Sequence, residues 1–173
     1  MLVDIVSRNG NLLLNFPLPS DGMLDPKELA ILEEVTKWMS VNGEAIYGTR
    51  PWKIYGEGPQ VTAANAARAG AGEHHNAAAF SETSRKPLTS ADFRFTQKGA
   101  TLYAFAMGRP EGKITVPALA QGGSYSVGRI RNVEALGSKV KLNWTQDKLG
   151  LTIAGTPPLS DYPTAFKIVG AQG

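Results

Sequence analysis

The sequence predicts a mainly β protein: an antiparallel β-sandwich preceded by one β/α unit. Three observations predict it. Only residues 25–43 carry a complete helix signature, short apolar segments punctuated by Gly and Pro follow residue 91, and one early run, Asn11-Leu12-Leu13-Leu14-Asn15, reads as a strand buried on both faces.

That run comes first. It lies between Gly10 and Pro17-Leu18-Pro19, and its continuous rather than alternating apolar character is that of a parallel-sheet strand. Asp21-Gly22 is a turn dipeptide. In the helix Asp25 is the N-cap, Pro26 takes the first helical position, Glu28 completes a capping-box-like pair, and Asn42-Gly43 supplies a left-handed stop. Leu29, Leu32, Val35, Trp38 and Met39 share one face, so the helix needs an apolar surface to lie on.

Residues 56–90 open with Gly56-Glu57-Gly58-Pro59, are rich in Ala from Ala63, and contain His74-His75; they read as a linker or long loop. Short strands are then expected at Phe93–Phe95, Thr101–Met107, Lys113–Val116, Gly128–Val133, Val140–Trp144, Leu149–Ile153 and Ala165–Val169. The alternation of Val140/Leu142/Trp144 and of Leu149/Leu151/Ile153 is the period of strands with one buried face, and it places Val140, Leu142, Trp144, Leu151 and Ile153 in the interior. A single strand and helix cannot close a sheet, so residues 1–55 read as the remnant of a larger domain, 56–90 as the linker and 91–173 as the sandwich.

Composition narrows the function. The chain is 42% hydrophobic and 19% charged, with no Cys, which removes disulfides, thiolate nucleophiles and Cys-ligated zinc. No apolar run is long enough to span a bilayer, so no membrane role is expected. The net charge of +3 comes from scattered basic residues, and Arg129-Ile130-Arg131 is a strand-like alternation, so no nucleic-acid partner is expected.

Few residues offer chemistry. Adjacent His74-His75 lack the spacing of a metal site, so no metal is assigned. Carboxylates are numerous, but no spacing marks a catalytic pair, and Asp25, Glu28 and Asp21 are better used as caps and turns. Trp38 and Trp144 lie on apolar faces and are assigned to packing. Trp52, in Glu44-Ala45-Ile46-Tyr47-Gly48-Thr49-Arg50-Pro51-Trp52, is left between packing and a sugar-stacking role.

Asp4 to Asn15, Asp21-Gly22 and Trp38 to Trp52 together resemble the late catalytic-domain segment of the family 29 glycoside hydrolases, the retaining α-L-fucosidases. Asp92 to Ala104, Leu136-Gly137 and Gly150 to Ile153 resemble strands of that family's C-terminal β-sandwich. One departure is Phe16-Pro17-Leu18-Pro19, where the family continues with Asn-(Ile/Val)-Gly-Pro.

The resemblance implies that residues 1–55 are the end of a truncated (β/α)8-like catalytic barrel. It implies a hydrolase of terminal α-L-fucosyl linkages acting on fucosylated glycans, with no cofactor. The aspartate nucleophile and the acid/base glutamate of the family lie upstream of Asn9-Gly10-Asn11, so no residue here takes a catalytic role and the chain alone is expected to be inactive. Asn15, on the barrel rim, is the one substrate-binding candidate. Family members are often exported, so a periplasmic or secreted full-length protein fits, with localisation left open. The alternative is a carbohydrate-binding or protein-interaction module. Residues before Asp25, deprived of a barrel, are expected to lose order or to self-associate.

Overall fold

The computed structural model describes residues 1–62, 87–109, 112–155 and 161–171. Helix α1 spans Leu2–Ser7 and α2 Pro26–Asn42. The strands are β1 (Arg50–Glu57), β2 (Phe93–Lys98), β3 (Thr101–Ala106), β4 (Ile114–Val116), β5 (Asn132–Ala135), β6 (Asn143–Asp147), β7 (Gly150–Ala154) and β8 (Thr164–Val169). They form a five-stranded sheet, β1-β2-β3-β8-β5, and a three-stranded one, β4-β7-β6, with antiparallel neighbours throughout. The chain is therefore mainly β, as the alternation predicts.

Two apolar layers hold it together. Between the sheets, Phe95, Leu102, Ala104, Val133, Phe166 and Ile168 of the large sheet meet Val116, Leu151 and Ile153 of the small one. On the other face of the large sheet, Tyr103, Phe105 and Ala165 are covered by Val3 of α1 and by Ala45 and Ile46, with Trp38 and Met39 of α2 packed alongside. Central strands buried on both faces have no alternation to show, and β3 is buried at every position after Thr101. At the sheet margin β5 alternates exposed and buried.

α2 begins as expected, with the Asp25 carboxylate accepting from Lys27 N–H at 2.7 Å. Its end differs. Gly43 is right-handed, φ −58°, and the chain runs on into a 3-10 turn, Gly43–Ala45; the left-handed residue is Gly48, φ 69°. Buried Asn42 explains the continuation, because its side-chain amide donates to the Trp38 carbonyl and closes the last turn from within. Only the C-terminal half of α2 docks: Trp38 stacks on Phe105 with ring centroids 6.4 Å apart, and its indole N–H donates to the Pro163 carbonyl. Gly137 allows this approach. Its φ is +76°, and a Cβ there would run into Val41 of α2.

The predicted strand Leu12–Leu14 is absent. Residues 11–19 have no regular structure, and Leu13 is 93% exposed. A strand buried on both faces needs partners on both edges, and no described strand lies beside it. The residues before it have a home instead. α1 packs onto the large sheet, and its end is closed by Asn9 at φ 63° with Gly10 N–H donating to the Ile5 carbonyl. The expected loss of order before Asp25 therefore does not extend to α1.

β1 lies across the expected boundary at residue 55 and pairs with β2. The linker expected at 56–90, with His74-His75, falls largely outside the described residues. β6 starts at Asn143 rather than Val140, and Val140 is exposed while Leu142, Leu151 and Ile153 are buried. The hairpin fixes this register by pairing Asp147 with Gly150.

Candidate functional site

Trp52 is not a surface platform. It is 6% exposed, edge-on to Phe95 at 5.1 Å and tilted against Tyr125 at 5.6 Å, so it is a core residue of the sandwich. Trp38, on α2, is half-buried against the large sheet. Trp144 packs against the core and is only partly buried. Asn15 is exposed, in the irregular stretch after α1, and lines none of the described clefts.

The first polar cluster that the structure assembles is Asp4, Arg8, Tyr55 and Arg94. Asp4 on α1 accepts from Arg94 Nε of β2, across 90 residues of sequence, and from Arg8 at 3.3 Å one helical turn on. Arg8 lies 3.8 Å over the Tyr55 ring and Arg94 5.6 Å from it. Burial works to raise the Asp4 pKa, but the hydrogen bonds and charges of Arg94 and Arg8 outweigh it and hold the carboxyl below its usual value. Thr96, two residues from Arg94 on the same face, donates to the Ala45 carbonyl at 2.7 Å. Two polar side chains of β2 thus receive the N-terminal helices.

A second carboxylate is more open. Glu57, at the end of β1, accepts the Ala118 N–H with both oxygens, at 3.2 and 2.9 Å, where the 3-10 turn Pro117–Leu119 begins. It lines a cleft of about 350 Å³ with Ser90, Lys113 and Thr115. Burial pushes its pKa up to about 7, against the smaller opposing effect of the Ala118 N–H. Beside it, fully buried Asp92 is committed to structure, since its carboxylate accepts from Gln60 N–H, Thr89 N–H and the Thr89 hydroxyl. Glu57 can exchange a proton near neutrality, but it faces no second carboxylate across its cleft.

The other clefts are lined differently. Glu34 and Lys37 border one of about 240 Å³ between α2 and Pro163, and the third, at the open edge of the sandwich, has no acid in its lining. No two carboxylates share a described cleft. Among the described residues no three His, Cys, Asp or Glu converge to hold a metal ion, and no helix is long and apolar enough to cross a membrane. Sequence reasoning passes over Glu57 because its burial depends on a turn about 60 residues away. Asp4 and Arg8 did carry a signal, an acid and a base at helical spacing.

The family model for α-L-fucosidase matches residues 1–44. Mouse tissue α-L-fucosidase is 30% identical over 167 residues, 96% of this chain and 29% of that protein. Human tissue α-L-fucosidase is 46% identical over 56 residues, 32% of this chain and 12% of that protein. The chain thus spans less than a third of the length of these relatives. In fold it is similar to Thermotoga maritima α-fucosidase, with a TM-score of 0.65 and 23% identity over 96% of this chain and 32% of that one.

Proposed function

We propose, from the premise that this chain belongs with the α-L-fucosidases and corresponds to their C-terminal part, that it serves such an enzyme as the non-catalytic end of the molecule. The likeness that runs along 96% of the chain carries this reading. The whole enzyme hydrolyses terminal α-L-fucosyl linkages of glycans with retention, through a fucosyl-aspartate intermediate. Retention needs two carboxyl groups about 5–5.5 Å apart across one site. Glu34 and Glu57, the carboxylates that line described clefts, lie in different ones. The nucleophile and the acid/base are supplied by the catalytic barrel.

In this reading residues 1–55 go with the barrel, while α1, the end of α2 and the 3-10 turn rest on the large sheet of the sandwich and β1 joins it. Residues 56–90 connect and 91–173 complete the sandwich. Leu13, Leu18, Met23, Leu29 and Ile31, all exposed here, become the surface that the barrel covers. In isolation they favour self-association. Asn15 reaches the fucose pocket only when its segment is taken up as a barrel strand, so Asn15→Ala changes fucoside affinity in the whole enzyme and nothing in this chain.

The purified chain, given an aryl α-L-fucoside, is expected to show no turnover above the spontaneous rate. Turnover that disappears in Glu57→Gln or Glu34→Gln overturns the reading, because a catalytic carboxylate would then lie within the chain.

A further inference from the structure

We propose that the open edge of the sandwich, between β6 and the segment leading into β5, binds one pyranose unit of a glycan against Trp144, with Arg129 and Gln121 as its polar contacts. This site is independent of the fucosidase reading and of the barrel.

The cleft measures about 380 Å³ and is lined by Gln121, Arg129, Ile130, Trp144 and Gln146, within the range of about 300–1,000 Å³ usual for small-molecule sites. Trp144 and Gln146 alternate with exposed neighbours along β6, so both point to its inner side. β6 pairs only with β7 among the described strands. Its free side is bridged to the facing segments by the Asp147 carbonyl, which accepts from Gln121 N–H, and by the Gln146 side chain: Gln146 Oε1 accepts from Ile130 N–H at 2.9 Å, and its amide donates to the Leu119 and Gly128 carbonyls, both at 3.1 Å. That amide is spent on holding the walls in place. The cleft is thereby preformed rather than collapsible.

What remains available is the chemistry of a sugar site. Trp144 packs against the core yet lines the cleft, and it offers an aromatic surface to the C–H face of a pyranose. Arg129 and Gln121 are exposed, and neither side chain bonds another described residue. The backbone carrying Gln121 is pinned by its N–H bond to the Asp147 carbonyl at 2.8 Å and by a bridge to Val127. A primary amide donates and accepts, as a rim of hydroxyls requires, and a guanidinium donates in a planar fork. No carboxylate lines the cleft to neutralise Arg129, so the site also suits an acidic sugar.

The test is titration of the chain with methyl α-L-fucoside, methyl β-D-galactoside and D-glucuronate to about 50 mM, following tryptophan emission, with uridine as a flat aromatic control. At least one sugar is expected to give a saturable change with a Kd in the millimolar range. Arg129→Ala, an exposed change that leaves the melting temperature unaltered, weakens it about tenfold, and Trp144→Ala abolishes it. Preference for glucuronate assigns Arg129 to a carboxylate, and equal binding of the neutral glycosides assigns it to hydroxyls. Because Trp144→Ala also removes core contacts, Gln121→Ala stands as a second surface variant. The proposal is overturned by the absence of a saturable response to all three sugars, by a response that survives Arg129→Ala and Gln121→Ala, or by tighter binding of uridine.

Discussion

Replacing Glu57 by Gln should change how the stability of this chain depends on pH. Burial raises the carboxyl from 4.5 to about 7 in the folded chain. Between those values the native state holds more protons than the unfolded one, so the contribution of Glu57 to stability is fully present below about pH 4.5 and is lost as pH rises toward 7. The raw difference corresponds to about 3 kcal/mol, and partial solvent access at the cleft mouth screens this to about 1–2 kcal/mol. The amide introduced by Glu57→Gln would keep an oxygen for Ala118 N–H and carry no charge at any pH.

Urea unfolding of both proteins at several values between about pH 5 and 8 reads the effect. The difference between them cancels every other titrating group, His74 and His75 included. The variant should match the wild type near pH 5 and exceed it by about 1–2 kcal/mol near pH 8. Parallel profiles, or a variant that is weaker at pH 8, would show that the ionised carboxylate is well satisfied and the reasoning wrong.

Further outcomes follow from the same geometry. Asp4→Asn leaves the buried Arg94 guanidinium without its counter-charge and should cost about 2–4 kcal/mol by urea melt. It should also remove an acid-limb loss that, for a depressed carboxyl, is complete only when pH falls through the folded value, below 3.8. Trp52→Ala should cost about 3–5 kcal/mol, as for a ring buried in the core, whereas a loss below about 1 kcal/mol would put Trp52 at the surface. Gly137→Ala should cost about 1–2 kcal/mol through its left-handed backbone and the Val41 contact, and the near-ultraviolet signal of Trp38 should change with it.

The sequence made visible what local chemistry decides. The N-cap of α2 and the alternation of β7 sit within a few residues of what they control, whereas the end of α2 departs from the expected stop because Asn42 closes its last turn on the Trp38 carbonyl. Leu12-Leu13-Leu14 misleads because a continuous apolar run announces burial without supplying the neighbours that make it, and here they are missing. Trp52 stays ambiguous in sequence for a related reason: its environment is set by β2, beyond a connection of some 35 residues. Asp4 looks like any other surface acid until Arg94 is placed beside it. Of the candidate residues, Asn15 rests on resemblance alone, while Glu57 and the Trp144 cleft emerge only where distant segments meet.

The pairing of β1 with β2 has a consequence for how the chain can be cut. Residues 58–92 leave one strand and return to its immediate neighbour, so the two ends of that connection are held together by the sheet rather than by the covalent chain. Hydrolysis of a peptide bond within it would leave a piece ending at β1 and a piece beginning at β2 still joined. The joint would include the strand ladder, the Asp4–Arg94 pair, the Thr96–Ala45 hydrogen bond and the packing of Trp38 and Trp52 on Phe105 and Phe95. Such a nicked protein would migrate as one species in a native gel and as two in denaturant.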